Sequence, residues 1–309
     1  MTNRFVDLIR LFLLIPITMG LACAPQDPNP CSEEGIGQVD VIASGFADGT
    51  EGIAFSPDGR LFVSHGDTVA EVATDGSWQP VADVLGTIGV TWWGERLMVA
   101  SGDDGQGTGF DAVYAVDVDT GQVELFGGAG ISGANFITVT PWDTILVSDP
   151  SDGTILEMNQ NGAATLWSDA IESPNGMVFN EVSDALYVAT TFDAPTHLWR
   201  IPIADQQAGT PESIVEYEPS IIPDGIARGQ SGAIYIAQNI AGRIDVVTEP
   251  ESPDTALSST IGEGTAWAAS LAFGPPDSSW DQCSVYVTSL FGEDLFRVNV
   301  GEPGAALHH

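Results

Sequence analysis

Lysine does not occur in this chain. All 8 basic residues among its 309 are arginine, set against 43 Asp+Glu, for a formal net charge of -35. Without lysine, Schiff-base chemistry, a P-loop phosphate lysine and a kinase-type ATP lysine are excluded. Nucleic acid is excluded as a partner too, because neutralising phosphates needs clustered cations, and an anionic lipid surface would be repelled in the same way. Histidine is scarce at 4 and cysteine at 3. No nucleophile elbow, HExxH or Gly-rich phosphate loop is present. Long apolar runs are missing as well: residues 11–22 form a stretch of about 12, short of the roughly 20 that span a bilayer.

What remains is a chain able to fold. Hydrophobic residues make up 43%, enough for a large core, so the acidity belongs to a folded surface rather than to a disordered tail. The 35 Gly and 19 Pro are spread along the whole length and favour many short elements joined by turns.

Residues 1–22 read as a secretory signal peptide, with Arg4 and Arg10 ahead of the apolar run and small residues at its end. Gly20-Leu21-Ala22-Cys23 resembles a bacterial lipoprotein cleavage box, which would make Cys23 the lipidated first residue. The expectation is an envelope lipoprotein that meets the membrane only through its anchor; ordinary cleavage after Ala24, and secretion, is the alternative. Residues 23–37 form an acidic, Pro-rich tether, 38–301 the folded domain and 302–309 a tail. With Cys23 lipidated, Cys31 and Cys283 are left over in a chain sent to an oxidising compartment, which predicts a disulfide between them. Two unpaired buried thiols are the alternative.

Internal repetition is the strongest feature. EGIAFSPDGRLFVSHGDTVAEVATDG from Glu51 reads as a short apolar strand, a Pro-Asp-Gly turn, a second strand, a third and another turn. Related copies follow at Val90, Asn135, Asn175, Asp224 and Ser270, giving 6 in all, spaced in the range of about 40 to 50 residues that propeller blades show. The predicted fold is all-β, a six-bladed β-propeller. The segment 38–44, QVDVIAS, has no partner of its own and is expected to complete the last blade and close the ring.

In a propeller the first strand of each blade lines the central channel. The residue opening that strand is Glu51, Val90, Asn135, Asn175, Asp224 or Ser270 in successive copies. Two carboxylates and two amide carbonyls, from Glu51, Asp224, Asn135 and Asn175, suit a hard cation such as Ca²⁺, and the absence of His and Cys argues against Zn²⁺. The alternative is that Pro174-Asn175-Gly176 and Pro223-Asp224-Gly225 are turns and nothing more. Ser56-Pro57-Asp58-Gly59 is a hairpin turn after its first strand, whereas Asn175 and Asp224 precede theirs, in phase with Glu51 and Asn135.

Glu51-Gly52, Asn135, Pro174-Asn175-Gly176 and Pro223-Asp224-Gly225, in this order and spacing, resemble the senescence marker protein/gluconolactonase group of six-bladed propellers, also called regucalcin-like. More distantly, the chain is similar to the paraoxonases. The resemblance spans roughly residues 38–300. It implies a divalent metal on Glu51, Asn175 and Asp224, with Asn135 at or near it. It further implies a small-molecule lactone or ester substrate, attacked by metal-held water with Asp224 as general base. Paraoxonase-like proteins also tie the two ends of the ring with a disulfide. The chain departs from the family pattern at Gly133, where an arginine is usual, and offers no counterpart of the substrate-binding glutamate in residues 144–148. Trp92, Trp93, Phe136 and Trp142 hint instead at a more apolar ligand, and His65 is a minor candidate for a catalytic base. A noncatalytic, calcium-stabilised propeller that binds a protein or glycan is the alternative to a hydrolase, and a monomer is expected for either.

Overall fold

A computed structural model describes residues 30–102, 111–128 and 131–308. The leader and Cys23 lie outside the described residues. Among those described there is no helix, and six small antiparallel sheets follow one another along the chain. The fold is a six-bladed β-propeller. The inner strands are Ile53–Phe55, Thr87–Trp93, Ile137–Val139, Pro174–Asn180, Pro223–Arg228 and Ala268–Phe273, and each packs beside the inner strand of the next blade, the sixth returning to the first. Val39–Ser44 pairs antiparallel with Asp294–Asn299, so the N-terminal strand completes the sixth blade. Cys31 is bonded to Cys283 across the same seam.

The second strand of each blade is buried on both faces. In Leu61–His65, Leu61 and Val63 pack toward blade six while Phe62 packs toward blade two. Every blade repeats this division, so apolar side chains gather into six clusters, one in each seam between neighbours. Alternation along a strand thus serves two seams at once, which is why the second strands read as continuous apolar runs.

Near the axis the inner strands approach so closely that side chains are excluded. A Cβ on Gly52 would lie 2.3 Å from Ile88 O, on Gly89 2.2 Å from Asn135 O, and on Gly176 2.3 Å from Asp224 O. Gly52 N and Gly89 N donate across these gaps, to Ile88 O and Asn135 O, both at 2.9 Å.

This register corrects two of the opening positions. The residue level with Glu51 in blade two is Ile88, not Val90, and in blade six it is Ala269, not Ser270. The inner strands of both blades carry a register shift at their start, between Thr87 and Val90 and between Ala268 and Leu271. Neither copy has the Pro-Asn-Gly or Pro-Asp-Gly marker that fixes the phase in blades four and five. The ring is therefore Glu51, Ile88, Asn135, Asn175, Asp224 and Ala269.

Gly89→Ala should destabilise the protein by at least the roughly 1–3 kcal/mol typical of overpacking, because the methyl would meet fixed backbone; a denaturant melt equal to wild type would contradict the close approach. Replacing Cys31 and Cys283 together by serine should cost about 2–5 kcal/mol, mainly by freeing the unfolded chain, and chemical denaturation under non-reducing conditions measures it.

Candidate channel-mouth site

Inner strands begin, and second strands end, at one face of the ring. Glu51, Asn135, Asn175 and Asp224 all sit at this mouth, on blades one, three, four and five. Asn175 and Asp224 are 3% and 6% exposed, and Glu51 is half-buried.

The structure brings Asn175 and Asp224 into direct contact. Asn175 Nδ2 donates to Asp224 Oδ1 at 2.9 Å and to Thr191 Oγ1 at 2.7 Å. Thr191 spends its single hydroxyl proton on Pro223 O at 2.8 Å, so toward Asn175 its oxygen can only accept. That fixes the amide: both its protons are used, and Asn175 Oδ1 is left buried with no partner. Asp224 Oδ2 accepts from Asn239 Nδ2 at 3.1 Å. Asn135 is held by its backbone, its N donating to Ser148 O at 3.0 Å and its O accepting from Gly89 N. It opens the third blade level with the others, and its side chain makes no hydrogen bond to the Asn175–Asp224 pair.

Burial, and then the nearby charge of Asp224, pushes the Glu51 carboxyl well above the usual carboxylate range. Burial pushes Asp224 up as well, against the downward pull of its hydrogen bonds from Asn239 and Asn175. Two carboxyls that disfavour each other's ionisation, next to a carbonyl oxygen lacking a donor, make a site short of positive charge. Among the described residues no three His, Cys, Asp or Glu side chains gather at one point. The donors here are two carboxylates with neutral amides, an oxygen set that fits a hard divalent cation and offers no soft ligand.

Thr191 and Asn239 were not anticipated. Each stands one residue beyond the end of its second strand, and only comparison of that position between blades four and five would have found them. The aromatic hint is corrected. Trp92 stacks on Phe62, Trp93 packs edge-on against Phe126 and Trp142 against Phe179. Their indole nitrogens donate to Gly94 O, Asp143 Oδ1 and Glu157 Oε1. Trp92, Trp93 and Trp142 stand at the end of the ring opposite the mouth, where inner strands finish, and Phe136 packs into the seam between blades three and four. His65 is likewise structural: its ring lies against Phe46 and Trp78, and Nδ1 is 2.8 Å from Gly49 O.

The fold is shared with solved structures of low sequence identity. A gluconolactonase from Xanthomonas campestris is 18% identical with a TM-score of 0.70, covering 89% of this chain and 96% of its own. The calcium-binding protein regucalcin from Agrobacterium tumefaciens is 17% identical with a TM-score of 0.69, covering 87% and 95%. A PQQ-bound aldose sugar dehydrogenase from Streptomyces coelicolor is 14% identical, also at 0.69, covering 85% and 98%. Such different chemistries on one scaffold show that these likenesses speak for the fold alone. A search of curated protein sequences finds no match. The SMP-30/Gluconolactonase/LRE-like region profile matches residues 126–290, more than half of the sequence and three of the four mouth residues, and the chain belongs to that family.

Proposed function

We propose that this protein is an exported, divalent-metal-dependent hydrolase of lactones or related esters, with Ca²⁺ the best-suited ion. The observation that carries the reading is the stranded Asn175 Oδ1 beside the mutually repelling carboxyls of Glu51 and Asp224. Family membership supports the substrate class, and the leader pattern supports export with a lipid anchor on Cys23.

Glu51, Asn175 Oδ1 and Asp224 would hold the cation, with Asn135 beside them. There it would supply Lewis acidity toward a carbonyl oxygen. The protein's own part is proton handling. Asn175 and Asn239 clamp the two oxygens of Asp224 from opposite sides, which fixes the carboxylate while leaving each oxygen a free lone pair. Asp224 can then take a proton from water as its oxygen bonds to the acyl carbon, and return it to the departing alkoxide when the acyl C–O bond breaks.

Hydrolysis of lactones and aryl esters should be abolished by a chelator and restored by Ca²⁺. Asp224→Ala should lower the rate by about 10²–10⁴-fold, the usual worth of a positioned base. Uniform inactivity of the calcium-loaded wild type would instead favour a noncatalytic binding propeller. The metal site has its own readout in stability. Ca²⁺ should raise the wild-type Tm by mass action, and an equal rise in the Glu51→Ala, Asp224→Ala double variant would contradict the assignment.

Raised folded-state pKa values carry a definite sign. The unfolded chain releases these protons in the ordinary carboxylate range while the folded, metal-free protein keeps them, so stability is fully present at acid pH. It is lost as pH rises through the folded values, that of Glu51 reaching about 8. Thermal melts of chelated protein should therefore decline between about pH 4 and 8, and Glu51→Gln should flatten the decline.

A further inference from the structure

We infer that a cleft at the mouth between blades five and six receives the non-reacting arm of the substrate, and that this arm is apolar and uncharged. The inference rests on the hydrolase reading for the identity of the reacting group. It stands on different residues.

The cleft has a volume of about 600 Å³ and is lined by Ile240, Gly242, Arg243, Glu263 and Trp267 among others. It opens on the same face of the ring as the site just described and is joined to it along the chain. Ile240 follows Asn239, which holds Asp224, and Trp267 lies two residues before Ala269, the channel position of blade six. An arm in the cleft would thus extend from a carbonyl placed at Asp224 without leaving the mouth.

Its lip is built from rings that water would ordinarily drive inward. Trp267 is 41% exposed and Phe291 71% exposed, and the two meet edge to face at 5.5 Å between centroids. Ile240 across the cleft is also exposed. Trp267 is further held at φ 57°, a left-handed conformation that a bulky side chain adopts only at a cost and that glycine adopts freely. Trp267 O accepts from Leu290 N and its ring meets Phe291, yet both rings stay in water, an exposure that a ligand stacking on them would relieve.

Charge narrows the ligand further. Arg243 is the one arginine at the mouth end among the described residues, and it is tied to the buried Asp245, Nε to Oδ1 at 2.9 Å and Nη2 to Oδ2 at 3.0 Å. Glu263 is its cross-strand neighbour. One cation among two carboxylates gives the cleft a negative balance, and the whole chain carries -35. An anionic arm and an anionic bilayer are both repelled, while a neutral alkyl or aryl arm is not.

The test measures binding to γ-lactams, which resist hydrolysis, by titration calorimetry on the calcium-loaded protein. A hexyl- or phenyl-substituted γ-lactam should bind wild type at least about tenfold more tightly than the unsubstituted ring, as burial of several methylenes or a ring predicts. Trp267→Gly should lose that gain without lowering the Tm, since glycine suits the backbone there; Phe291→Ala should lose part of it. Equal affinity for substituted and bare lactams would overturn the inference, as would a Trp267→Gly variant that melts lower yet keeps the gain. Arm-dependent binding without turnover of any lactone would leave the cleft standing and remove the hydrolase reading. Chelator-sensitive turnover indifferent to the arm would do the reverse.

Discussion

The crowding of six inner strands around one axis governs this structure. Where Gly52, Gly89 and Gly176 stand, the neighbouring backbone occupies the space of a side chain. The next strand out answers at the same level with small residues: Ser64, Ala100, Ser148, Ala189, Ala237 and Thr288. Ser64, Ser148 and Thr288 use their hydroxyls to accept the inner-strand N–H of Gly52, Phe136 and Ser270. Large apolar side chains are displaced outward into the seams, which is why the core is six separate clusters rather than one centre.

That constraint also makes the mouth a site. The opening residue of each inner strand stands at the mouth, so each blade contributes one group there. Four of these are polar, and blades two and six contribute Ile88 and Ala269 instead. Asn175 and Asp224 stand on adjacent blades, whose inner strands touch at Gly176 and Asp224 O, and this proximity sets their hydrogen bond. Rigid scaffolding of this kind suits a cation better than a loop would, because the ligands cannot spread to escape one another's charge.

The fold was legible because turns mark it. Pro-Asp-Gly and Pro-Asn-Gly punctuate the copies, strand pairs alternate around them, and the unpaired segment 38–44 pointed to the ring closure that Val39–Ser44 makes. The mouth was legible in the blades whose opening residue is polar: Glu51, Asn135, Asn175 and Asp224 fell at one level because the repeat phase could be read from their glycines and prolines. It failed in blades two and six, where no Pro-Asn-Gly or Pro-Asp-Gly marks the register shift that blades four and five also carry, and Ile88 or Ala269 offers no polar signal. Thr191 and Asn239 were hidden for another reason. Their level holds Gly66, Gly102, Pro150, Thr191, Asn239 and Leu290 around the ring, with no shared residue type, so the repeat carries no trace of it. Trp92, Trp93 and Trp142 misled because a sequence does not show which end of a strand faces the mouth when its register is unsettled.

The absence of lysine acquires a structural meaning at this site. Many hydrolases place cationic side chains where negative charge develops, and here the one arginine at the mouth among the described residues is already paired with Asp245. A bound cation is then the remaining source of positive charge able to offset Glu51 and Asp224 together. The same scarcity acts on the product. On the hydrolase proposal, opening a neutral lactone would create a carboxylate at the mouth of a chain that carries a net -35, and the field that ignores the substrate would repel the product. On that reading, a chain poor in cations gains a direction for its chemistry: neutral molecules would enter, and acids would be driven out.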